Sequence, residues 1–255
     1  MKKRKKIAIV TGATSGFGKI FIKMADEQFP ALDEFWLIGR NAGALIDLSN
    51  ELTHKAKLIP YDLTKMSSLE KIRQLLEEEK PSVKFLVNSA GFGVVGHVEN
   101  QNEDVLSDMI NLNCRALTYL SRVCIPYMAK NSRIINFASV AAFMPQPSFA
   151  VYAATKAYVL SFTRALNCEL RKKDISVLAV CPGPANTNFF SVAEKNGGQK
   201  AGSYKDLFMV EPEAVVKKAI RDSILKKEVS VYSLPMQALR ILTKVVPRKL
   251  IFRFL

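Results

Sequence analysis

The stretch Lys6-Ile7-Ala8-Ile9-Val10-Thr11-Gly12-Ala13-Thr14-Ser15-Gly16-Phe17-Gly18 decides the fold. A short apolar run rich in β-branched residues ends at a glycine cluster, and a helical pattern follows at once. That is how a buried parallel strand turns into a crossover helix. Glycines suit the turn because it must bring backbone against a pyrophosphate, whose charge then rests at the positive helix N-terminus. The spacing over Gly12, Gly16 and Gly18 is GxxxGxG rather than the common GxGxxG. By itself a glycine turn also serves plain structural ends.

Working outward, short apolar runs alternate with longer stretches of helical spacing. Strands are predicted at Lys6–Val10, Glu34–Ile38, Ala56–Ile59, Val83–Val87, Arg133–Ala138, Ser176–Cys181 and Val229–Tyr232. Helices are predicted at Gly18–Gln28, Met66–Glu79, Asn102–Met128, Phe149–Arg171 and Pro212–Leu225. The expectation is an α/β fold: one Rossmann-like, doubly wound parallel sheet of about seven strands with helices on both faces. No repeat or linker marks a second domain, so residues 1–255 are read as one domain. Residues 184–210, which hold Phe189, Phe190, Tyr204, Phe208 and Met209 without a clear element, read as a substrate loop.

With 255 residues and 49% hydrophobic composition the chain can bury a full core, which excludes disorder. The net charge of +14 is unevenly spread. Residues 1–6 form a basic tail with Lys2 to Lys6, and residues 234–255 form a second with Arg240, Lys244, Arg248, Lys249 and Arg253. Neither contains an acid. Of the 37 lysines and arginines these tails hold ten, leaving 27 against 23 acids elsewhere. Cations confined to tails argue against nucleic acid as a partner, since duplex binding needs a charged folded face. The apolar run after Lys6 is too short for a secretory signal, and no run approaches the ~20 residues that span a bilayer. Four cysteines without a CxxC pair suit a reducing, cytoplasmic setting. His54 and His97 lie in separate segments with no second ligand at a recognisable spacing, so no metal site is expected.

The second strand ends Leu37-Ile38-Gly39-Arg40, with a cation where an acid usually meets the ribose 2′-hydroxyl of NAD. Arg40 would attract a phosphate there, which favours NADP(H) over NAD(H). A literal GxGxxG occurs at Gly91, Gly93 and Gly96, but His97-Val98-Glu99-Asn100 starts no convincing helix. Its glycines are read as steric, letting a flat ligand approach the backbone.

Tyr152 and Lys156 lie four residues apart in a helical stretch and so share a face. Ser139 follows the strand Arg133–Ala138, where loops gather around ligands in open α/β sheets. Together with the glycine turn these residues resemble the short-chain dehydrogenase/reductase family over nearly the whole chain, and its hydroxysteroid dehydrogenase-like members in particular. Its TGxxxGxG motif stands at Thr11 to Gly18, and its Asp-hydrophobic pair at Asp62-Leu63. Its NNAG motif appears as Asn88-Ser89-Ala90-Gly91, departing at the second position. Its helix asparagine matches Asn113, with Asn111 the other register. Pro182-Gly183 and Thr187 match its PGxxxT stretch.

The resemblance implies hydride transfer between a nicotinamide and a carbonyl or carbinol carbon, with Asn113, Ser139, Tyr152 and Lys156 catalytic. It implies that Gly12, Thr14, Ser15, Gly16, Phe17, Gly18, Asp62, Leu63, Asn88, Ala90, Gly91, Tyr152, Lys156, Pro182, Gly183 and Thr187, along with Arg40, line the cofactor. Tyr152 would be the general acid in reduction. Its phenol, ordinarily near ~10, is expected to fall beside the Lys156 ammonium and the positive nicotinamide ring. Ser139 would donate to the substrate oxygen. Lys156 would also hold ribose hydroxyls, and Asn113 a water joining Lys156 to solvent. Tyr158 and Ser148 are read as packing or surface residues.

Ser139, Phe143, Phe149, Phe189 and Phe190 would face the substrate. Such a wall suits a bulky hydrophobic ketone or alcohol, steroid-like or bile-acid-like, rather than a sugar. Small or fatty carbonyls are the alternative substrates, and a non-catalytic dinucleotide-binding regulator is the rival function. A sugar-nucleotide epimerase is disfavoured by the glycine spacing. Relatives of this kind form homodimers or homotetramers. The tail over 234–255 has amphipathic, basic character with Pro247 ending its helix; it could rest on anionic lipid, cover the substrate mouth or pack on another subunit.

Overall fold

In the computed structural model, residues 4–185 and 209–246 are described. The central strands form because their side chains are buried almost without interruption, as in sheets covered on both faces, while the edge strand Lys55–Ile59 and the start of Met128–Phe137 are more exposed. The strands are β1 (Lys6–Thr11), β2 (Glu34–Ile38), β3 (Lys55–Ile59), β4 (Ser82–Asn88), β5 (Met128–Phe137), β6 (Ser176–Val180) and β7 (Val229–Ser230). All pairings are parallel, in the order β3-β2-β1-β4-β5-β6-β7. The chain winds outward from β1 to β3, then returns to the other side of β1 at β4. The winding reverses between β1 and β4, and in such sheets ligands gather outside the strand ends at that reversal.

Helices cover both faces. On one, α1 (Gly16–Gln28), α2 (Ala42–Asn50) and α7 (Pro212–Ile224) bury Phe21, Ile22, Leu45, Leu48, Val215 and Ile220 against the sheet. On the other, α3 (Met66–Glu79), α5 (Leu117–Cys124) and α6 (Ala150–Leu170) bury Leu69, Ile72, Leu76, Leu120, Leu166 and Leu170. A final helix, α8 (Leu234–Val245), packs on the turn Val140–Phe143.

The structure corrects several predicted boundaries. Helix α2 was not foreseen: it is nine residues long and carries Gly43, and it starts because the Asn41 side chain accepts from the Ala44 amide. The predicted helix Asn102–Met128 is broken. It runs as α4 (Glu103–Ile110), a π-helical turn Asn111–Ala116, α5, and a 3₁₀ turn Ile125–Tyr127 containing Pro126. Met128 belongs instead to β5, whose pairing with β4 shifts register between Val83 and Phe85.

Candidate active site

At the end of β1 the backbone does the shaping. Gly12 and Gly16 adopt φ of +65° and +51°, which side chains resist. A Cβ on Gly18 would lie 2.4 Å from the Gly12 carbonyl oxygen, so α1 rides directly on the turn. Ser15 caps α1 without a side-chain hydrogen bond and the first turn has no acid, so this helix start favours an anion. Thr11 ties the turn to the β4 exit: its Oγ1 accepts from the Ser89 and Ala90 amides at 3.0 and 3.1 Å. The hydroxyl before the first glycine is what sequence inspection missed.

On the other flank the Ala13 amide donates to Ile38, and Thr14 lies against Gly39, so Arg40 stands exposed beside the turn. The Asp62 carboxylate accepts from the Thr64 amide and hydroxyl, folding the chain after β3, and Leu63 is buried. The Asn88 amide points into the seam between β4 and β5, donating to Asn136 at 2.8 Å, while Asn136 donates to Thr163. Phe17 stacks on Phe137 with ring centres 5.0 Å apart.

The π-helical turn exists around Asn113, a distortion common at functional sites. Its buried Nδ2 donates to the Phe92 carbonyl (2.9 Å) and to Thr155 Oγ1 (3.1 Å), and its Oδ1 accepts from the Phe92 amide. Asn111 is instead peripheral, reaching only Ser107 on its own helix at 3.4 Å. A Cβ on Gly91 would lie 2.8 Å from Asn113 Oδ1 and 3.4 Å from Lys156 Nζ. Gly91 is therefore where Asn113, Lys156 and the β4 exit meet. No α-helix starts directly after Gly96; Val98–Asn100 is a 3₁₀ turn and α4 begins only at Glu103.

Helix α6 carries Tyr152 and Lys156 inward, both buried. Ser139, at the end of β5, hydrogen-bonds to Tyr152 and accepts from the Ala141 amide at 3.1 Å. Lys156 Nζ donates to the Phe137 carbonyl at 2.8 Å and stands 5.6 Å from the centre of the Tyr152 ring. Thr155, between them, donates to the Tyr152 carbonyl while accepting from Asn113. Its role was missed, although it sits one residue before the lysine.

Burial sets the protonation of this group. It pushes Lys156 down to about 8, with Cys114 and Cys181 opposing, and pushes the Tyr152 phenol up, with the Ser139 hydrogen bond opposing. In the protein alone burial dominates and the phenol is raised; the expected fall belongs to the state with a positive nicotinamide ring beside it. The ammonium is spent on a backbone carbonyl and lies over the ring, and desolvation of the hydroxyl outweighs it.

Phe149 stacks on Tyr152 with ring centres 4.3 Å apart, whereas Phe143 packs toward Val231 and Met236. The Val140 amide donates to buried Pro182, which holds the Pro182-Gly183 loop against Ser139. Thr187, Phe189 and Phe190 lie outside the described residues, as does most of 184–210; its flanks are joined where the Val210 amide donates to Pro184. Tyr158 is 43% exposed and hydrogen-bonds Thr118, and Ser148 accepts from the Gly96 amide. His54 is committed to Asp26, which binds the Thr53 and His54 amides as well. Among the described residues no acid, histidine and cysteine cluster could hold a metal.

A dinucleotide fits this site on the structure's own terms. The glycine turn has no room for side chains, the α1 start invites a phosphate, and Arg40 stands beside it. Tyr152 and Lys156 lie across the β1–β4 reversal.

The family model for short chain dehydrogenases matches residues 6–197. An uncharacterized oxidoreductase of Staphylococcus epidermidis is 31% identical over 188 residues, covering 73% of this chain and 80% of that one. A short-chain dehydrogenase from Sphingobium yanoikuyae in complex with NADPH shares the fold with a TM-score of 0.77 at 24% identity, covering 96% of this chain and 97% of that one. One from Burkholderia phymatum in complex with NAD gives 0.79 at 21%, covering 95% and 94%.

Proposed function

The chain belongs to the short-chain dehydrogenase family and is an oxidoreductase of the alcohol/carbonyl class, and from that premise we propose that it uses NADP(H) to interconvert a bulky hydrophobic ketone and its secondary alcohol. The observation that carries the reading is the buried contact of Ser139 with Tyr152, with Lys156 one turn further along α6 and Asn113 against Gly91. A nicotinamide dinucleotide, when bound, supplies or takes up the hydride. In reduction Tyr152 hands its phenolic proton to the substrate oxygen as the carbonyl π pair moves onto that oxygen. Ser139 donates a hydrogen bond to the same oxygen, where negative charge builds. Its raised pKa keeps Tyr152 protonated at neutral pH, which suits the acid's role in reduction. Lys156 stabilises the phenolate left behind, and Asn113 holds the route by which the proton is replaced. The Asp62-Leu63 pair, Ala90, Gly91, Pro182, Gly183 and Thr187 would hold the coenzyme.

Arg40 supports NADP(H), because an exposed guanidinium at the end of β2 meets a 2′-phosphate better than a bare hydroxyl. Phe149 stacked on Tyr152 supports an apolar substrate. The reading includes a cytoplasmic homodimer or homotetramer; the described cysteines are free thiols, and light scattering reports the assembly. A screen of NADPH consumption against ketones, steroids included, tests cofactor, activity and substrate together. Bulky ketones are expected to be turned over best. Tighter binding of NADH than NADPH, or a preference for polyols, would overturn the finer assignment.

A further inference from the structure

Helix α8 has two apolar faces. Met236 and Leu239 pack inward with Val140 and Phe143, on the turn that begins at Ser139, and Gln237 donates to the Val231 carbonyl. On the opposite side Leu234, Ala238, Ile241, Leu242 and Val245 fall within about 100° of the helix wheel. These residues face outward: Leu234 is 79% exposed, Ile241 64%, Leu242 53% and Val245 76%. A row of this kind on a surface helix calls for a covering. The surrounding sequence states its charge: from Leu234 onward there are five cations and no acid.

We propose that α8 docks this chain on an anionic lipid bilayer, lying in the plane of the surface with the Leu234–Val245 stripe among the acyl chains. Twelve residues of helix reach about 18 Å, too short to span and suited to lying flat. Arg240 on the helix, and the four cations that follow it in the sequence, would attract acidic headgroups. A second copy of the chain is the poorer occupant. A two-fold pairing through the stripe would join two segments that each carry five cations and no acid in their sequence. The docked helix also brings lipid to within about one helix diameter, ~10 Å, of the turn that starts at Ser139. An apolar substrate dissolved in the bilayer would then enter beside Phe143.

The test uses the full chain and vesicles of phosphatidylcholine with or without phosphatidylglycerol, read by co-sedimentation. Because it measures no turnover, it stands or falls apart from the reading of cofactor and substrate. Binding to the phosphatidylglycerol vesicles is expected to exceed binding to phosphatidylcholine alone by about tenfold or more, and to weaken with salt. Ile241→Ser with Val245→Ser should lower partition roughly tenfold while leaving the melting temperature unchanged, since both side chains already face out. Lys249→Glu with Arg253→Glu should lower it at least as far, each cation carrying roughly a fivefold effect. Equal binding to the two vesicle types would overturn the proposal. So would an Ile241→Ser/Val245→Ser protein that still sediments with vesicles but elutes as a smaller assembly, which would show that the stripe pairs two chains.

Discussion

The two ends of the active-site cleft are built of different materials. The end at β1 is shaped by backbone: Gly12 and Gly16 take positive φ, and Gly18 brings α1 onto the turn with no space for a Cβ. The end at β5 and α6 is shaped by side chains: Asn113, Thr155, Tyr152 and Ser139 are buried or half-buried and linked by hydrogen bonds, and Lys156 is buried beside them on the Phe137 carbonyl. A backbone site fails when anything is added, whereas a side-chain site fails when an atom is taken away. The first selects by shape and fixed dipoles, and the second by charge that burial can move.

The largest test of that contrast removes one atom. Tyr152→Phe keeps the ring stacked on Phe149 and loses the proton donor. Turnover should fall by about 10³-fold with NADPH affinity nearly unchanged, measured by steady-state rate and fluorescence titration; retention of a tenth of the rate would place the acid elsewhere. Adding one atom at the opposite end should do the reverse. Gly18→Ala puts a methyl 2.4 Å from the Gly12 oxygen and should cost about 1–3 kcal/mol of stability together with coenzyme affinity. Thermal melting and the same titration read it, and unimpaired binding would mean that the turn yields more easily than its packing implies.

Arg40→Ser leaves both ends intact and changes only the charge beside the turn. NADPH affinity should drop about tenfold and NADH affinity hold; parallel losses for the two would remove the basis for the 2′-phosphate contact. The smallest effect is in pH. Lys156, pushed down to about 8 by burial, carries its proton below that point and loses it above. Ketone reduction should therefore be level at lower pH, about twofold reduced at the midpoint and lower beyond it. A pH profile that runs flat through this region would separate the lysine's charge from the rate.

The same contrast explains what could be read in the sequence. Glycines at fixed spacing report backbone shape directly, so the turn, the strand before it and the parallel sheet were legible from Lys6 to Gly18. Tyr152 and Lys156 were legible as a pair on one helix face. Their protonation was not, because burial of the phenol comes from Val94 and Met109 as well as Ala141, and the first two are far from Tyr152 in the chain. The π-helical turn was hidden for a similar reason: Asn113 is drawn to Phe92 and Thr155, 21 and 42 residues away, and no periodicity reports that pull. The start of β5 escaped because Lys130, Asn131 and Ser132 interrupt the apolar run, with Asn131 at a φ of +63°.

One small bond has a practical consequence. The Val210 amide grips Pro184, and Ala185 bridges Val210, so two points 25 residues apart in the chain are held side by side. Loop closure costs grow slowly with length. Pro184, Ala185 and Val210 are thus a clasp beside the strands: substitutions there should lower the melting temperature, while β6 and β5 keep their register.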